Sequence, residues 1–436
     1  MLTRLQSIPH ASRLANWGRL LSVTVSGQIA VQAIGFLCGI MVIRLLSIEQ
    51  YALYTLANTM LGTMGSLADS GVTTGVISQG GKVWEDRGRL GAVLSTGMAL
   101  RRKFAAICII FSIPILVMLF QKHGATWWES SAMIVAIIPA FLIALSTKLL
   151  EVAPKLHQCI TPIQKTQVGS GLIRFVLTTL FLLALPIGAL AVLATGLSQL
   201  FCNWRYRKLS GRYVDHDTSE DPVVRSEILR IVKRSLPGTF YIAFLGQLNI
   251  WLISFFGTTD AVAQIGALGR LVLVIAVIQS VFSILIVPRF SRLPLESNLV
   301  AQRFIQVQAL LWICGGSLVG AVSLFPNQLL WVLGSDYAGL NTELILMAVV
   351  CGITLVRFGI QSLNSARGYV LNPWVFMPLN LGIMTMAYSL FPPVDVYNAL
   401  CASVIGTLFG PLIHSVNFLV HYRAERLQHS LDAVPA

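Results

Sequence analysis

The sequence predicts an all-α integral membrane protein of about twelve transmembrane helices, arranged as two six-helix lobes. Three observations predict it. Apolar stretches of roughly 18–28 residues, each long enough to cross a bilayer as a helix, recur along the 436-residue chain. They run from Leu20–Val42 to Ala399–Val420 with no water-soluble domain between them. The composition is 55% hydrophobic against 11% charged, with a mean hydropathy of +0.75, far outside the soluble range. The third observation is that the basic residues keep to one side.

In chain order the spans fall near residues 20–46, 51–79, 93–120, 128–150, 168–186 and 188–204. The second six fall near 236–257, 262–287, 304–325, 342–364, 373–391 and 396–420. Span one carries Gln28, Gln32, Gly35 and Gly39 on one face, a pattern that suits either helix packing or a polar ligand. Span two carries Tyr54, Asn58, Gly62, Gly65 and Asp69 within roughly 80° of one another at 100° per residue. Spans five and six are short and meet at Leu185-Pro186-Ile187-Gly188, so they read as two spans or as one bent hairpin. Span five holds Arg174 near its inner end. Span eight holds Arg270 about two turns from its outer end, and span ten holds Arg357, Gln361 and Asn364 at i, i+4 and i+7.

With the N-terminus inside, 26 of the 31 basic residues fall on the cytoplasmic side. These include Arg101, Arg102 and Lys103, and the cluster from Arg205 to Arg234. Only Arg44 and Lys122 fall outside, while Glu49, Glu129, Asp260, Asp336, Glu343 and Asp395 populate the outer loops. This positive-inside bias places both termini in the cytoplasm. It also accounts for the net charge of +13 through contact with an anionic leaflet, with no nucleic acid as partner. The first 19 residues are polar and basic, unlike a cleavable signal.

The seven cysteines form no CxxC pair, so neither a disulfide framework nor a metal site is expected. The outer loops are short, and no nucleophile elbow, phosphate loop or zinc-protease motif occurs. The expectation is therefore a protein that is not an enzyme, with no catalytic residues and no cofactor.

The longest hydrophilic segment, 205–235, divides the chain into an N-terminal lobe (1–204), a cytoplasmic linker and a C-terminal lobe (236–436). Two bundles joined this way are a common plan of alternating-access transporters. Charged groups at bilayer depth cost about 2.5–3.5 kcal/mol, so each needs a reason. Asp69 and Arg174 either pair, snorkel to the interface or line a path. Arg270 and Arg357 lie deeper, and cations at that depth suit an anionic ligand such as a pyrophosphate.

The segment Arg44-Leu45-Leu46-Ser47-Ile48-Glu49-Gln50-Tyr51-Ala52-Leu53-Tyr54 resembles the Arg-x-Leu-x-(Pro)-Glu-x-Tyr-Gly-x-Tyr signature of polysaccharide (O-antigen) flippases. Those belong to the multidrug/oligosaccharidyl-lipid/polysaccharide (MOP) exporter superfamily. Ile48 and Ala52 replace the usual Pro and Gly. Asp69-Ser70-Gly71, Pro288-Arg289-Phe290-Ser291 and Gly334-Ser335-Asp336-Tyr337-Ala338 resemble later family motifs in the family's order.

The resemblance implies a MATE-like pair of six-helix lobes that flips polyprenyl-pyrophosphate-linked oligosaccharides for O-antigen, capsule or exopolysaccharide assembly. It also implies possible coupling to a proton or sodium gradient and partnership with polymerase and chain-length machinery. The expected site joins Arg270 and Arg357 on the pyrophosphate with Gln28, Gln32, Asn58 and Gln361 on sugar hydroxyls. Asp69, Arg44 and Arg174 would serve gating or ion coupling. Many relatives carry an Asp in span seven where this chain has Leu248-Asn249-Ile250. The rival readings are a multidrug cation antiporter, a non-transporting scaffold of polysaccharide assembly, and a membrane glycosyltransferase.

Overall fold

The structure is a computed structural model, and it describes residues 10–215, 219–291, 299–367, 369, 371 and 373–432. Arg4 and Arg292, both assigned to the cytoplasmic side, lie outside these residues. Among the described residues every regular element is helical. The chain divides into two compact units, Met1–Leu248 and Asn249–Ala436.

Unit 1 contains α1 (His10–Leu45), α2 (Ile48–Asp69), α3 (Val72–Gly80), α4 (Arg87–Lys122), α5 (Trp127–Leu150), α6 (Val152–Leu156), α7 (Ile160–Ala184), α8 (Gly188–Ser210) and α9 (Pro222–Gly246). Local chemistry starts these helices where they start. Ser47 caps α2 by accepting from the Gln50 N–H, and Asp86 caps α4 through the Arg89 N–H. Thr126 and Glu129 form a reciprocal capping box on α5. Asp221 caps α9, whose first residue is Pro222. In the bundle α5 packs on α8, α1 on α7, α7 on α8, and α2 on α4 and α5. Ile107, Ile110 and Phe111 of α4 and Leu172, Val176 and Leu180 of α7 point outward, as a lipid-facing surface requires. Trp127 and Trp128 are exposed at the start of α5, where interfacial anchors belong.

Unit 2 contains α10 (Leu248–Phe256), α11 (Thr259–Leu268), α12 (Val272–Leu285), α13 (Val287–Ser291), α14 (Leu299–Leu324), α15 (Pro326–Leu333), α16 (Asn341–Arg367), α17 (Pro373–Leu390) and α18 (Val396–Asp432). Helix α16 is its hub, packing on α14, α18, α12 and α13. It meets α14 backbone to backbone, because a Cβ on Gly315 or Gly352 would lie 3.2 Å from the other's carbonyl oxygen.

All twelve expected spans fall on helical segments, and three are interrupted: span two at Ser70-Gly71, span seven at Gln247 and span eight at Gly269–Leu271. Seven helices among the described residues are long and apolar enough to cross a bilayer, and α9 with α10 makes an eighth as a broken pair. The protein is a multi-pass membrane protein. Spans five and six are two full helices, α7 and α8, separated by three residues.

The segment expected to link the lobes differs from a free linker. Helix α8 continues to Ser210, and α9 begins at Pro222. Ile228 and Val232 of α9 are buried with Val72 and Val76 of α3, Leu90 and Val93 of α4, and Leu149 of α5. A spacing of i, i+4 and i+8 from Val224 gives this charged stretch one apolar face, and burying that face holds it on unit 1. Further ties are the Arg87–Asp215 ion pair (3.4 Å) and the bond from the Asp221 N–H to Thr96 Oγ1 (3.0 Å). The compact units consequently part at Leu248/Asn249.

Candidate functional site

The predicted polar faces appear in each unit separately. In unit 1, Gln28 and Gln32 are partly exposed on α1, and Gly35 faces open space. Helix α2 is buried over residues 51–60 except at Asn58, which is exposed. Gly62 is exposed one turn further on, so the Asn58–Gly62 edge stays open along an otherwise packed span. Tyr54 is buried, and its hydroxyl accepts from Arg174 Nη2 at 3.3 Å. Arg44 is exposed at the end of α1. Nearby, Gln50 bridges three elements: its Nε2 donates to Glu129 Oε1 (2.5 Å), and its Oε1 accepts from the Gly188 N–H (3.0 Å). The Arg44–Tyr54 motif thus ties together one end of α2, α5 and α8.

Asp69 ends α2 and organises the opposite, basic end. Its Oδ1 accepts from the Thr73 N–H (3.1 Å) and hydroxyl (2.6 Å), and from Arg101 Nη2. Arg101 Nη2 also reaches Thr73 Oγ1, and Nη1 donates to the Leu145 carbonyl (2.5 Å). One ion pair therefore ties α2, α3, α4 and α5. The Arg101 side chain is 1% exposed and that of Asp69 26%. Between Asp69 and α3 the chain turns at Gly71, where φ is +91° and an added Cβ would lie 3.0 Å from Ser235 Cβ of α9. Only glycine meets both conditions without strain. The Asp69-Ser70-Gly71 motif is the joint of this corner.

Arg101, which the sequence groups with Arg102 and Lys103, differs from them in burial. Those two are exposed, whereas Arg101 continues the buried stripe Leu90, Leu94, Gly97, Arg101, Ala105. Steps of three and four along α4 were the available signal.

In unit 2, Arg270 sits in the single 3₁₀ turn Gly269–Leu271 that interrupts the helix between α11 and α12, and this turn packs on α16. Arg357 of α16 lies across α18, where a Cβ on Gly410 would come within 2.5 Å of its Cδ. Asn364 is buried and donates to the His414 carbonyl (2.8 Å). Gln361 is exposed. The structure brings Arg270 and Arg357 onto neighbouring elements, with Gln361 exposed one turn beyond Arg357 on α16.

Asn249, which stands where relatives are expected to carry an acid, holds a neutral network. Its Nδ2 donates to Ser403 Oγ (2.7 Å), its Oδ1 accepts from the Tyr388 hydroxyl (2.5 Å), and Ser403 also bonds the Ala399 carbonyl (2.8 Å). Among the described residues no group of His, Cys, Asp or Glu is placed to hold a metal ion.

No family model matches this chain, and no curated protein matches it. Solved structures do. An inward-facing multidrug resistance MATE family transporter of the MOP superfamily superposes with a TM-score of 0.75 at 15% identity, over 93% of this chain and 98% of that one. An outward-facing MATE family transporter of the same superfamily gives 0.64 at 15% identity, over 94% and 95%. A point mutant of the Vibrio cholerae MATE transporter VcmN gives 0.57 at 13% identity, over 95% and 98%. The chain has the all-α, multi-span MATE fold.

Proposed function

We propose that this protein carries a polyprenyl-pyrophosphate-linked oligosaccharide across the cytoplasmic membrane, with both termini on the cytoplasmic side. The observation that carries the reading is Arg270, a cation held in a helix interruption inside a span. Backbone breaks at membrane depth are tolerated where they are packed in protein or line a hydrated cavity, and ionisable side chains there mark substrate pathways. A guanidinium in such a place suits a diphosphate, which it binds bidentately.

The headgroup cannot cross hydrocarbon alone, because unpaired charges and hydroxyls are too costly there. In this reading Arg270 and Arg357 replace water around the pyrophosphate. Gln28, Gln32, Asn58 and Gln361 meet sugar hydroxyls, while Asp69, Arg44 and Arg174 serve gating or ion coupling. No bond is made or broken. The product feeds surface-polysaccharide assembly, with polymerase and chain-length machinery as downstream partners and an ion gradient as the drive.

The fold favours a second reading, since the solved neighbours are multidrug transporters. Organic cations call for carboxylates along the path, and Asp69, the acid that the sequence places inside a span, is engaged by Arg101.

Deletion in the native host separates the readings. Complete lipid-linked repeat units accumulating in the inner leaflet, with loss of surface polymer, is the expected result, and Arg270→Ala should reproduce it. Unchanged polymer with new drug sensitivity would establish the antiporter instead. Lost polymer without accumulated repeat units would point to a scaffold.

A further inference from the structure

A cleft of about 560 Å³ opens between α1 and α7 within unit 1. The two helices run in the same direction, since Gly27 lies against Gln164 and Gly171 against Ile34. Polarity is graded along both walls. At the basic end lie Ser26 of α1 and Thr161 and Lys165 of α7; further along come Ala30, Val168 and Leu172. Thr161 and Lys165 are exposed, as are the apolar Ile29, Leu172 and Val176 beside and beyond them, so the cleft borders a lipid-facing surface. Eleven residues separate Thr161 from Leu172, about 16 Å along a helix. That is close to one leaflet of a hydrocarbon core of about 30 Å.

We propose that this cleft binds one anionic phospholipid of the cytoplasmic leaflet. Its phosphate sits at Lys165 with the Thr161 hydroxyl, and one acyl chain lies along Ala30, Val168 and Leu172. A cation at the polar end matches the headgroup, and a one-leaflet depth matches an acyl chain better than a much longer polyprenyl chain. Small side chains on α1 leave the room that the chain fills. The site is independent of the cargo carried by the protein.

The test is native mass spectrometry of the full chain released from membranes containing phosphatidylglycerol and phosphatidylethanolamine. The wild type should retain phosphatidylglycerol preferentially. Lys165→Gln should lower that preference about fivefold, the worth of one lysine at an anionic surface, and Lys165→Arg should keep it. A photo-crosslinking side chain introduced at Leu172 should capture phosphatidylglycerol in enriched proportion. An unchanged lipid ratio in Lys165→Gln, an adduct mirroring the bulk membrane, or capture of a polyprenyl phosphate would each overturn the proposal.

Discussion

The two halves close their basic ends by different physics. In unit 1 the corner after α2 is Asp69-Ser70-Gly71, and it is fastened by the Asp69–Arg101 ion pair with Thr73 and the Leu145 carbonyl. In unit 2 the corresponding corner after span eight is Pro288-Arg289-Phe290-Ser291, and it is fastened by aromatic rings. Phe304 and Phe418 stack with centroids 3.6 Å apart, Phe290 lies 6.3 Å from Phe418, and Tyr422 and Tyr369 complete the cluster. The polar contacts beside it are mixed: Asn417 donates to the Tyr369 carbonyl (3.0 Å), the Tyr369 hydroxyl donates to Glu425, and Arg367 lies over the Phe290 ring.

The difference teaches how each end responds to damage. A buried pair is costly to desolvate and catastrophic to halve, because the surviving charge keeps no counter-charge. An aromatic cluster loses area in proportion to what is removed.

The comparison breaks most sharply at Arg101. Arg101→Met should destabilise the protein by about 3–5 kcal/mol, the cost of removing one partner of a buried pair. Thermal unfolding in detergent would read it. Adding Asp69→Asn to the same chain should recover most of the loss, because the orphaned carboxylate is gone. Equal destabilisation in single and double variants would mean that Arg101 acts through packing alone.

On the other side, Phe418→Leu keeps most of the buried volume and should cost less than about 1.5 kcal/mol. The same assay at high salt should leave that difference unchanged. A loss as large as that of Arg101→Met would show that the two ends are built alike. Within unit 2, Tyr388→Phe removes one hydrogen bond to Asn249 and should cost about 1 kcal/mol.

How much of this was legible follows from what each signal measures. Hydrophobic run length reports burial in lipid, so every span was visible, but the run carries span two to residue 79, across the corner at Ser70-Gly71 that ends α2. Run length is blind to which face a charge takes. Arg101 was therefore grouped with Arg102 and Lys103, although one step of 100° separates a buried guanidinium from an exposed one. The same blindness hid α9: a count of charges in 205–235 reads as a linker, while the Val224–Ile228–Val232 spacing reads as a helix face. The hydrogen bonds joining Asn249 to Tyr388 and Ser403 had no trace in the sequence, because they bridge positions more than 130 residues apart. Partnerships of that kind are set by packing between helices rather than by local pattern.

The smallest expected effect extends the comparison to pH. His157 follows α6 at the basic end of unit 1, outside the spans. Its ring stacks on Tyr213 (4.1 Å) and meets the edge of Trp84 (5.3 Å). Burial in this stack holds its pKa below the ordinary 6.5, outweighing the hydrogen bond at the Trp84 backbone that pulls the other way. The unfolded chain therefore takes up the proton first as pH falls. The stack's contribution is complete above about pH 6.5 and is lost as pH drops from there through the folded-state value. Wild-type Tm should fall slightly between about pH 7 and about pH 5.5, the range in which histidine charges. His157→Phe keeps the ring and removes the titration, so its Tm should fall less over the same interval. An identical slope in the two proteins would assign the acid sensitivity elsewhere in unit 1.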